Sequence, residues 1–357
     1  MDLKLQTKYM KQAFNLAIKG EGFVNPNPLV GAVIIKDGKV IGKGYHKAFG
    51  QVHAEVDAIN HATEDVAGAT MFVTLEPCSH HGKQPPCAFK LIEKGIKEVY
   101  IANLDPNPLV YKQGVKVLED AGIKVHYGIL DDLGLKVNDI FFHYITTKRP
   151  FVAMKYAMTL DGKLATKDFD SKWITNKKSR KYVHDLRNKY SAILVGVNTI
   201  IKDDAKLDVR RSKKSKNPVR IILDPKLQTP KSTYVVKTAK TQPTWIVSET
   251  YDQSYVDLGV KIIQMPTIDL DKLMTILGEA KIDSIFIEGG AYTHASFLEA
   301  NLVNKVYAFI APKIIGGKNA LTPIGGEGVS LMKDAHVLKD VTYTQFDEDI
   351  LIEGYFK

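Results

Sequence analysis

The sequence predicts two α/β domains in series, and three observations lead there. At 357 residues the chain exceeds the roughly 100 to 200 residues of one typical domain. Its apolar (45%) and charged (25%) fractions are those of an ordinary globular protein, which excludes a disordered or fibrous chain. Strand-like and helix-like apolar patterns alternate on both sides of a short polar stretch, Thr146-Thr147-Lys148-Arg149-Pro150, whose proline favours extended backbone just before it. The boundary therefore falls between residues 148 and 149.

In the first part, helical periodicity covers Leu5–Lys19. Apolar runs then predict strands at Leu29–Lys36 and Val40–Tyr45 around the turn Asp37-Gly38-Lys39. A helix over His53–Ala62, a strand over Thr70–Leu75, a helix over Cys87–Lys94 and a strand over Glu98–Ala102 follow, then a helix over Gln113–Ala121 and a strand over Lys124–Tyr127. Such alternation makes a layered sheet. The second part carries strand-like runs at Phe151–Ala157, Ala192–Val197, Val219–Leu223, Thr244–Val247, Val260–Met265, Ser284–Ile287, Lys305–Ile310 and Ile350–Phe356. Helical patterns at Lys177–Lys189, Leu270–Ala280 and Ala295–Ala300 lie between several of them.

No stretch approaches the ~18 uninterrupted apolar residues of a membrane helix, and Met1-Asp2-Leu3-Lys4 leads into a helical pattern without a signal-peptide apolar core. A cytoplasmic protein is expected. The net charge of +9 is unevenly spread. Residues 1–148 hold 17 Lys, no Arg and 16 acidic residues, a balance of +1, whereas the 32 basic and 24 acidic residues of 149–357 give +8. Charge of that size suits a phosphorylated small molecule, a phosphate-bearing cofactor or nucleic acid. Two cysteines exclude a disulfide framework, and in a reducing compartment such a pair binds metal or does redox work.

The surroundings of those cysteines favour metal. His53-Ala54-Glu55 opens a helix, Pro77-Cys78 ends a buried strand and Cys87 begins another helix, so one imidazole and both thiols come from element ends. Such a set suits tetrahedral zinc, and three protein ligands leave one position for water, the mark of a catalytic site. Bound zinc lowers the pKa of water to about 7, and a carboxylate must then carry the proton. Glu55 is placed for that. The plain alternative, a helix-start histidine with two buried thiols, fits any one of these residues better than it fits the set of four.

His53, Glu55, Pro77 and Cys78 resemble the H-x-E and P-C elements of the zinc nucleoside and nucleobase deaminase superfamily. Eight residues, Ser79 to Pro86, separate the two thiols where that pattern has two. The stretch Glu76-Pro77-Cys78-Ser79-His80-His81-Gly82-Lys83-Gln84-Pro85-Pro86-Cys87 closely resembles the bifunctional riboflavin-biosynthesis deaminase-reductase family, as do Asn25-Pro26-Asn27-Pro28-Leu29-Val30-Gly31 and Asp105-Pro106-Asn107-Pro108. The resemblance continues through Met154 to Ala165, Ser171-Lys172-Trp173-Ile174-Thr175, His184-Asp185-Leu186-Arg187, Gly196-Val197-Asn198-Thr199, Asp203-Asp204, Leu207-Asp208-Val209-Arg210, Glu288-Gly289-Gly290 and Ala311-Pro312-Lys313.

What the resemblance implies is specific. The first domain is expected to be a cytidine-deaminase-like three-layer α/β/α domain with one Zn2+ per chain. It would hydrolyse the 2-amino group of a diamino-ribosylamino-pyrimidinone phosphate held by Asn27, His46, His80, Lys83, Asp105 and Asn107. The second is expected to be a dihydrofolate-reductase-like α/β domain that uses NADPH to reduce the ribose of the deaminated product to a ribityl chain. Ala157, Trp173, Thr199, Asp203 and the run Gly290, Ala291, Tyr292, Thr293, His294, Ala295, Ser296 would line the cofactor site. Lys155, Ser171, Arg187, Leu207, Arg210 and Glu288 would hold the substrate, with Arg187 and Arg210 as a phosphate clamp. Asp203 is the candidate proton donor and Lys155 the alternative.

Against this, Lys177, Lys178, Arg180 and Lys181 read as a solvated helix face, and Arg211, Lys213, Lys214 and Lys216 as a surface loop. The chain departs from the family at Tyr111-Lys112-Gln113, Asn198, Ala205 and Asp208. A phosphorylated pyrimidine is the expected partner of a homo-oligomer that needs neither nucleic acid nor membrane. The rival reading is a zinc-dependent RNA base deaminase with a basic accessory domain, for which no aromatic-interleaved basic platform is present.

Overall fold

The computed structural model describes residues 1–79, 86–107, 110–211 and 214–356, and the chain divides into two units, Met1–Lys148 and Arg149–Lys357. Among the described residues no helix is long and apolar enough to cross a membrane.

The first unit runs α1 (Leu3–Ala17), β1 (Gly31–Lys36), β2 (Lys39–Tyr45), α2 (Ala54–Asn60), β3 (Thr70–Leu75), α3 (Cys87–Glu93), β4 (Glu98–Asn103), α4 (Gln113–Asp120), β5 (Lys124–Tyr127), α5 (Asp131–Val137) and α6 (Asp139–Thr147). Its sheet has the order β2-β1-β3-β4-β5, with β1 antiparallel to both neighbours and β3, β4 and β5 parallel. Alternate residues of each strand point to opposite faces, and both faces are buried. Ala32, Ile34, Met71, Val73, Val99 and Ile101 meet Ala54 and Ala58 of α2, Leu91 of α3 and Leu118 of α4. Val33, Ile35, Phe72 and Tyr100 meet Tyr9, Met10, Ala13 and Phe14 of α1. Three layers result, helix over sheet over helix.

Two strand glycines set the depth at which α2 lies. A Cβ on Gly44 would sit 2.2 Å from the Ala58 nitrogen and 2.5 Å from the Ala54 carbonyl oxygen, and one on Gly42 would sit 2.6 Å from the Ala58 oxygen. Backbone therefore rests directly on backbone, and this fixes the start of α2, where His53 and Glu55 lie.

The second unit runs β6 (Phe151–Thr159), α7 (Lys177–Lys189), β7 (Ala192–Gly196), α8 (Val197–Asp203), β8 (Val219–Leu223), α9 (Tyr234–Lys237), β9 (Thr244–Ser248), α10 (Gln253–Asp257) and β10 (Lys261–Gln264). It continues with α11 (Leu270–Glu279), β11 (Ser284–Gly289), α12 (Ala291–Glu299), β12 (Lys305–Ala311), β13 (Leu338–Phe346) and β14 (Asp349–Phe356). Nine strands form one sheet of order β10-β9-β8-β7-β11-β6-β12-β14-β13, parallel except at β14. Met154, Leu194 and Ile287 pack with Leu273, Leu277 and Phe297 on one face, while Val195, Ile222 and Ile246 pack with Ile200, Val235 and Tyr255 on the other.

The periodicity missed several elements for identifiable reasons. Strand β13 is an edge strand with no fully buried residue, so it carries no core signal. Helices α9 and α10 span only 4 and 5 residues. The first β-strand starts at Gly31 rather than Leu29, because the Leu29 N–H and C=O are taken by the Asn138 side-chain amide (2.8 and 3.0 Å).

Substituting Gly44→Ala tests the seating of α2. Forcing a methyl group against backbone should cost about 1–3 kcal/mol, read as a lower urea midpoint for the transition of the first unit. An unchanged midpoint would show that α2 can shift at no cost.

Candidate functional site

At the cavity end of the first unit, the ends of three elements converge. His53 is the N-cap residue of α2 but makes no side-chain cap, so its ring is free to turn toward the thiols. Cys87 is the first residue of α3, and its backbone N–H donates to Cys78 Sγ (3.3 Å). His53 Nδ1 lies 3.2 Å from Cys87 Sγ and 3.5 Å from Cys78 Sγ, and all three donor atoms fall within 4.8 Å of one another. A tetrahedral ion with bonds of about 2.0 Å to nitrogen and 2.3 Å to sulfur would put its donors about 3.5–3.8 Å apart. The donor chemistry and the spacing both fit zinc.

The electrostatics are those of a site built for a cation. Cys78 is the thiolate of the pair, held down at about 4 by hydrogen bonds from the Cys87 thiol and from His53. Cys87, buried beside that thiolate, is pushed up. His53 is raised to about 9, chiefly by its hydrogen bond to Cys78. Glu55 is buried, and desolvation raises it to about 7 against the opposing pull of His53.

His53, Glu55 and Cys78 border a cavity of about 380 Å³, lined also by Asn27, His46, Asp105 and Asn107. The structure thus brings together all the sequence-predicted deaminase residues except His80 and Lys83, which lie outside the described residues. A hydrogen-bond chain orients two of them. His46 Nδ1 is 3.1 Å from the Val52 carbonyl, which can only accept, so this nitrogen carries the proton. Nε2 must then accept from Asn27 Nδ2 (3.1 Å), and Asn27 turns its oxygen away as an acceptor. Burial lowers the His46 pKa and keeps the ring neutral for this role.

Sequence reasoning missed the groups that hold these residues in place. Asp57 accepts from the Tyr45 N–H (3.1 Å) and from Lys47 Nζ (2.8 Å), fixing the end of β2 beside His46. Asn138 holds Leu29 from 109 positions away, a separation no local pattern reveals. Glu76 is buried at the end of β3, a carboxylate closing an apolar strand, which was a legible signal.

In the second unit the predicted residues gather where β7, β11 and β6 end. Gly196 leads straight into α8, and Gly290, at φ 89°, leads from β11 into α12 without a side-chain cap. Cβ atoms on Gly196 and Gly290 would lie 2.8 and 3.0 Å from Thr293 Oγ1, and one on Gly289 would lie 3.2 Å from Thr199 Oγ1. Uncovered helix N–H groups at the carboxyl ends of adjacent parallel strands suit a dinucleotide pyrophosphate. Thr199 and Ala157 are half-buried here, and Tyr292 and Ser296 are exposed. Thr293, His294 and Ala295 are buried, and His294 Nδ1 donates to the Pro323 carbonyl (2.8 Å).

The predicted substrate residues differ in what they offer. Arg187 forms a two-pronged ion pair with Glu288 and also donates to the Asp208 carbonyl, so most of its donors are committed. Arg210 has the more exposed guanidinium, with only its Nε near a carboxylate (3.5 Å from Asp208 Oδ1), and its backbone N–H donates to His184 Nδ1 (3.2 Å). Lys155 is half-buried, and desolvation, only partly opposed by Glu288, lowers its pKa. Leu207 packs its side chain into the core, and its carbonyl accepts from Gln242 Nε2 (3.0 Å). Asp203 ends α8 exposed to solvent, and Ser171 is half-buried. Trp173 is exposed, with the Arg180 guanidinium 4.3 Å from its ring centre, and Lys178 pairs with Asp347, so only Lys177 and Lys181 of that helix face remain as exposed cations of the kind expected. Arg211 likewise pairs with Asp185 (2.8 Å).

Comparison with known proteins finds a match for each unit. The cytidine and deoxycytidylate deaminase zinc-binding region matches residues 3–103, and the RibD C-terminal domain matches residues 150–352. The riboflavin biosynthesis protein RibD of Actinobacillus pleuropneumoniae is 47% identical over 97% of this chain and 94% of its own length, and that of Aquifex aeolicus is 43% identical over 99% of both. The chain belongs to the RibD family. The solved structure of Acinetobacter baumannii RibD (form 1) is similar over 100% of both chains, at 36% identity and a TM-score of 0.92. A diaminohydroxyphosphoribosylaminopyrimidine deaminase/5-amino-6-(5-phosphoribosylamino)uracil reductase from Thermotoga maritima is similar over 99% of both, at 40% identity and a TM-score of 0.90. This RibD family member is accordingly a two-activity enzyme of riboflavin biosynthesis, a zinc deaminase followed by an NADPH-dependent reductase.

Chelator-treated protein should reveal the imidazole–thiolate pair. Cys78, depressed to about 4, contributes stability above its unfolded value and loses it as pH falls through about 4. His53, raised to about 9, contributes below its unfolded value and loses it as pH rises through about 9. Thiolate absorbance near 240 nm should therefore appear as one step near pH 4; two thiols titrating together near their ordinary value would contradict the assignment.

Proposed function

We propose that the first unit releases ammonia from the 2-amino position of a diamino-ribosylamino-pyrimidinone phosphate, and that the second reduces the ribose of the resulting amino-phosphoribosylamino-uracil to its ribityl form. The observation that carries this reading is one cavity that joins His53 and Cys78 of the zinc-fitting His53–Cys78–Cys87 set, a buried Glu55 and the amide and carboxylate groups of Asn27, Asp105 and Asn107. When bound, zinc supplies a Lewis-acidic cation that brings the pKa of water down to about 7. Glu55, itself poised at about 7, takes a proton at its carboxylate and hands it to the departing amine. The Asn27 oxygen accepts from the ring edge, and the Asp105–Asn107 segment holds the ring's other side. His46 acts behind Asn27 by holding its amide.

In the second unit NADPH supplies the hydride, and the residues position the sugar against it. Arg210 grips the phosphate. Glu288, anchored by Arg187, accepts from ribose hydroxyls. Lys155, with its lowered pKa, is the better placed proton donor for the opening sugar, because Asp203 lies exposed at a helix end beside the cofactor cleft. Ala157, Trp173, Thr199, Asp203 and Gly290 to Ser296 line that cleft. We further infer a cytoplasmic homo-oligomer whose partner is the phosphorylated pyrimidine and which binds neither nucleic acid nor membrane; family membership supports the small-molecule substrate, and it does not favour the RNA deaminase alternative.

Two substitutions divide the roles at the first site. Glu55→Gln should keep one zinc per chain while ammonia release falls at least about 100-fold, whereas Cys78→Ala should lose the metal itself; normal deamination by the Glu55→Gln protein would reject the proton-carrying role. At the second site, losing a charged hydrogen bond to phosphate costs about 1.5–3 kcal/mol, so Arg210→Ala should raise the reductase KM about 10- to 100-fold with deamination unchanged. Equal damage to both rates would argue against separate sites.

A further inference from the structure

Glu76 has no part in the chemistry described so far, yet it is among the most heavily bonded side chains of the first unit. It is 4% exposed. Oε2 accepts from the backbone N–H groups of Asp105 (3.2 Å) and Lys112 (3.1 Å), and Oε1 from those of Gly114 (3.0 Å) and Val115 (3.3 Å). An ionised carboxylate offers about four acceptor sites. All are taken, so Glu76 has no lone pair left for a substrate and cannot serve as a second base beside Glu55.

The four donors come from the two ends of one segment. Asp105 opens it, and the Asp105 carboxylate in turn accepts the Asn107 N–H (2.9 Å), so fixing the first residue fixes the third. Lys112, Gly114 and Val115 close it at the start of α4. There Lys112, at φ 58°, makes no side-chain cap. The helix's unpaired N–H groups are satisfied by Glu76 instead, and its negative charge suits the positive end of the helix dipole. A Cβ on Gly114 would lie 1.9 Å from the Pro77 carbonyl oxygen, so α4 begins flat against the peptide that follows Glu76. One residue further on is Cys78.

We propose that Glu76 is a positioning residue of the deaminase, a strut that sets the distance between the Cys78 segment and the Asp105–Asn107 segment and hence between metal site and pyrimidine. The inference rests on the reading that Asp105 and Asn107 hold the ring. A glutamine here would turn an amino group toward two N–H donors, losing two acceptor contacts and opposing donor to donor. The segment would shift, and with it the substrate.

The test compares Glu76→Gln, Glu76→Asp and Gly114→Ala in the full-length zinc-loaded enzyme, with ammonia release followed against substrate concentration. Glu76→Gln should retain one zinc per chain and the wild-type reductase rate, while the deaminase KM rises about 10-fold and kcat falls about 10-fold. Glu76→Asp, which keeps the charge, should recover part of both. Gly114→Ala keeps the carboxylate and displaces α4, so it should reproduce the KM rise even if Glu76→Gln fails to fold. Wild-type constants in Glu76→Gln, or loss of zinc in parallel with activity, would overturn the strut. Asp105→Asn and Asn107→Ala separate the two levels: wild-type constants in both would sink the substrate reading itself, whereas a loss in both beside a normal Glu76→Gln would sink only the role of Glu76.

Discussion

Everything in the deaminase unit depends on how closely a helix can approach a strand. Because Gly42 and Gly44 carry no side chain, α2 lies with its backbone on β2, and the imidazole of His53 and the carboxylate of Glu55 reach the plane where β3 delivers Cys78. Any side chain larger than hydrogen would lift the helix by more than the tolerance of a coordination sphere, whose bond lengths vary by only about 0.2 Å. The packing of the apolar layer is thus the ruler for the chemistry.

Both units also bury a carboxylate, with opposite results. Glu55 sits in a closed environment whose nearest cation is one imidazole, and burial drives it up to about 7. Glu288 is also largely shielded, its side chain 8% exposed, but the paired Arg187 guanidinium and nearby Lys155 overcome desolvation and hold it below the usual carboxylate range. A proton carrier must sit near the working pH, whereas a fixed acceptor for hydroxyl groups must stay charged. The same side chain suits either of the proposed roles because its neighbours differ.

The central strands and the metal set were legible in the sequence because their causes are local. Buried parallel strands such as Thr70–Leu75 and Val219–Leu223 are short apolar runs, and both lie where the pattern put them. His53, Cys78 and Cys87 announce themselves by residue type, and the structure places their donor atoms together. What stayed hidden depends on distant partners. Arg187 looked like a phosphate ligand, since nothing nearby reveals that Glu288, 101 positions on, already occupies its fork. Arg180 looked solvated because the ring it covers belongs to the preceding loop. Helix α12 was placed four residues late, at Ala295 rather than Ala291, because its first turn is set by the Gly290 bend and not by an apolar stripe.

The grip of Asn138 on Leu29 bears on the order in which this protein can become active as it is made. The loop that presents Asn27 leaves the ribosome early, but its clasp is encoded 109 residues later, just before α6. Synthesis runs at about 5–20 residues per second, so for several seconds the nascent chain holds a half-built pocket with that loop unfastened. Catalytic competence arrives in one late step, when the final helix of the unit closes over the work of the first.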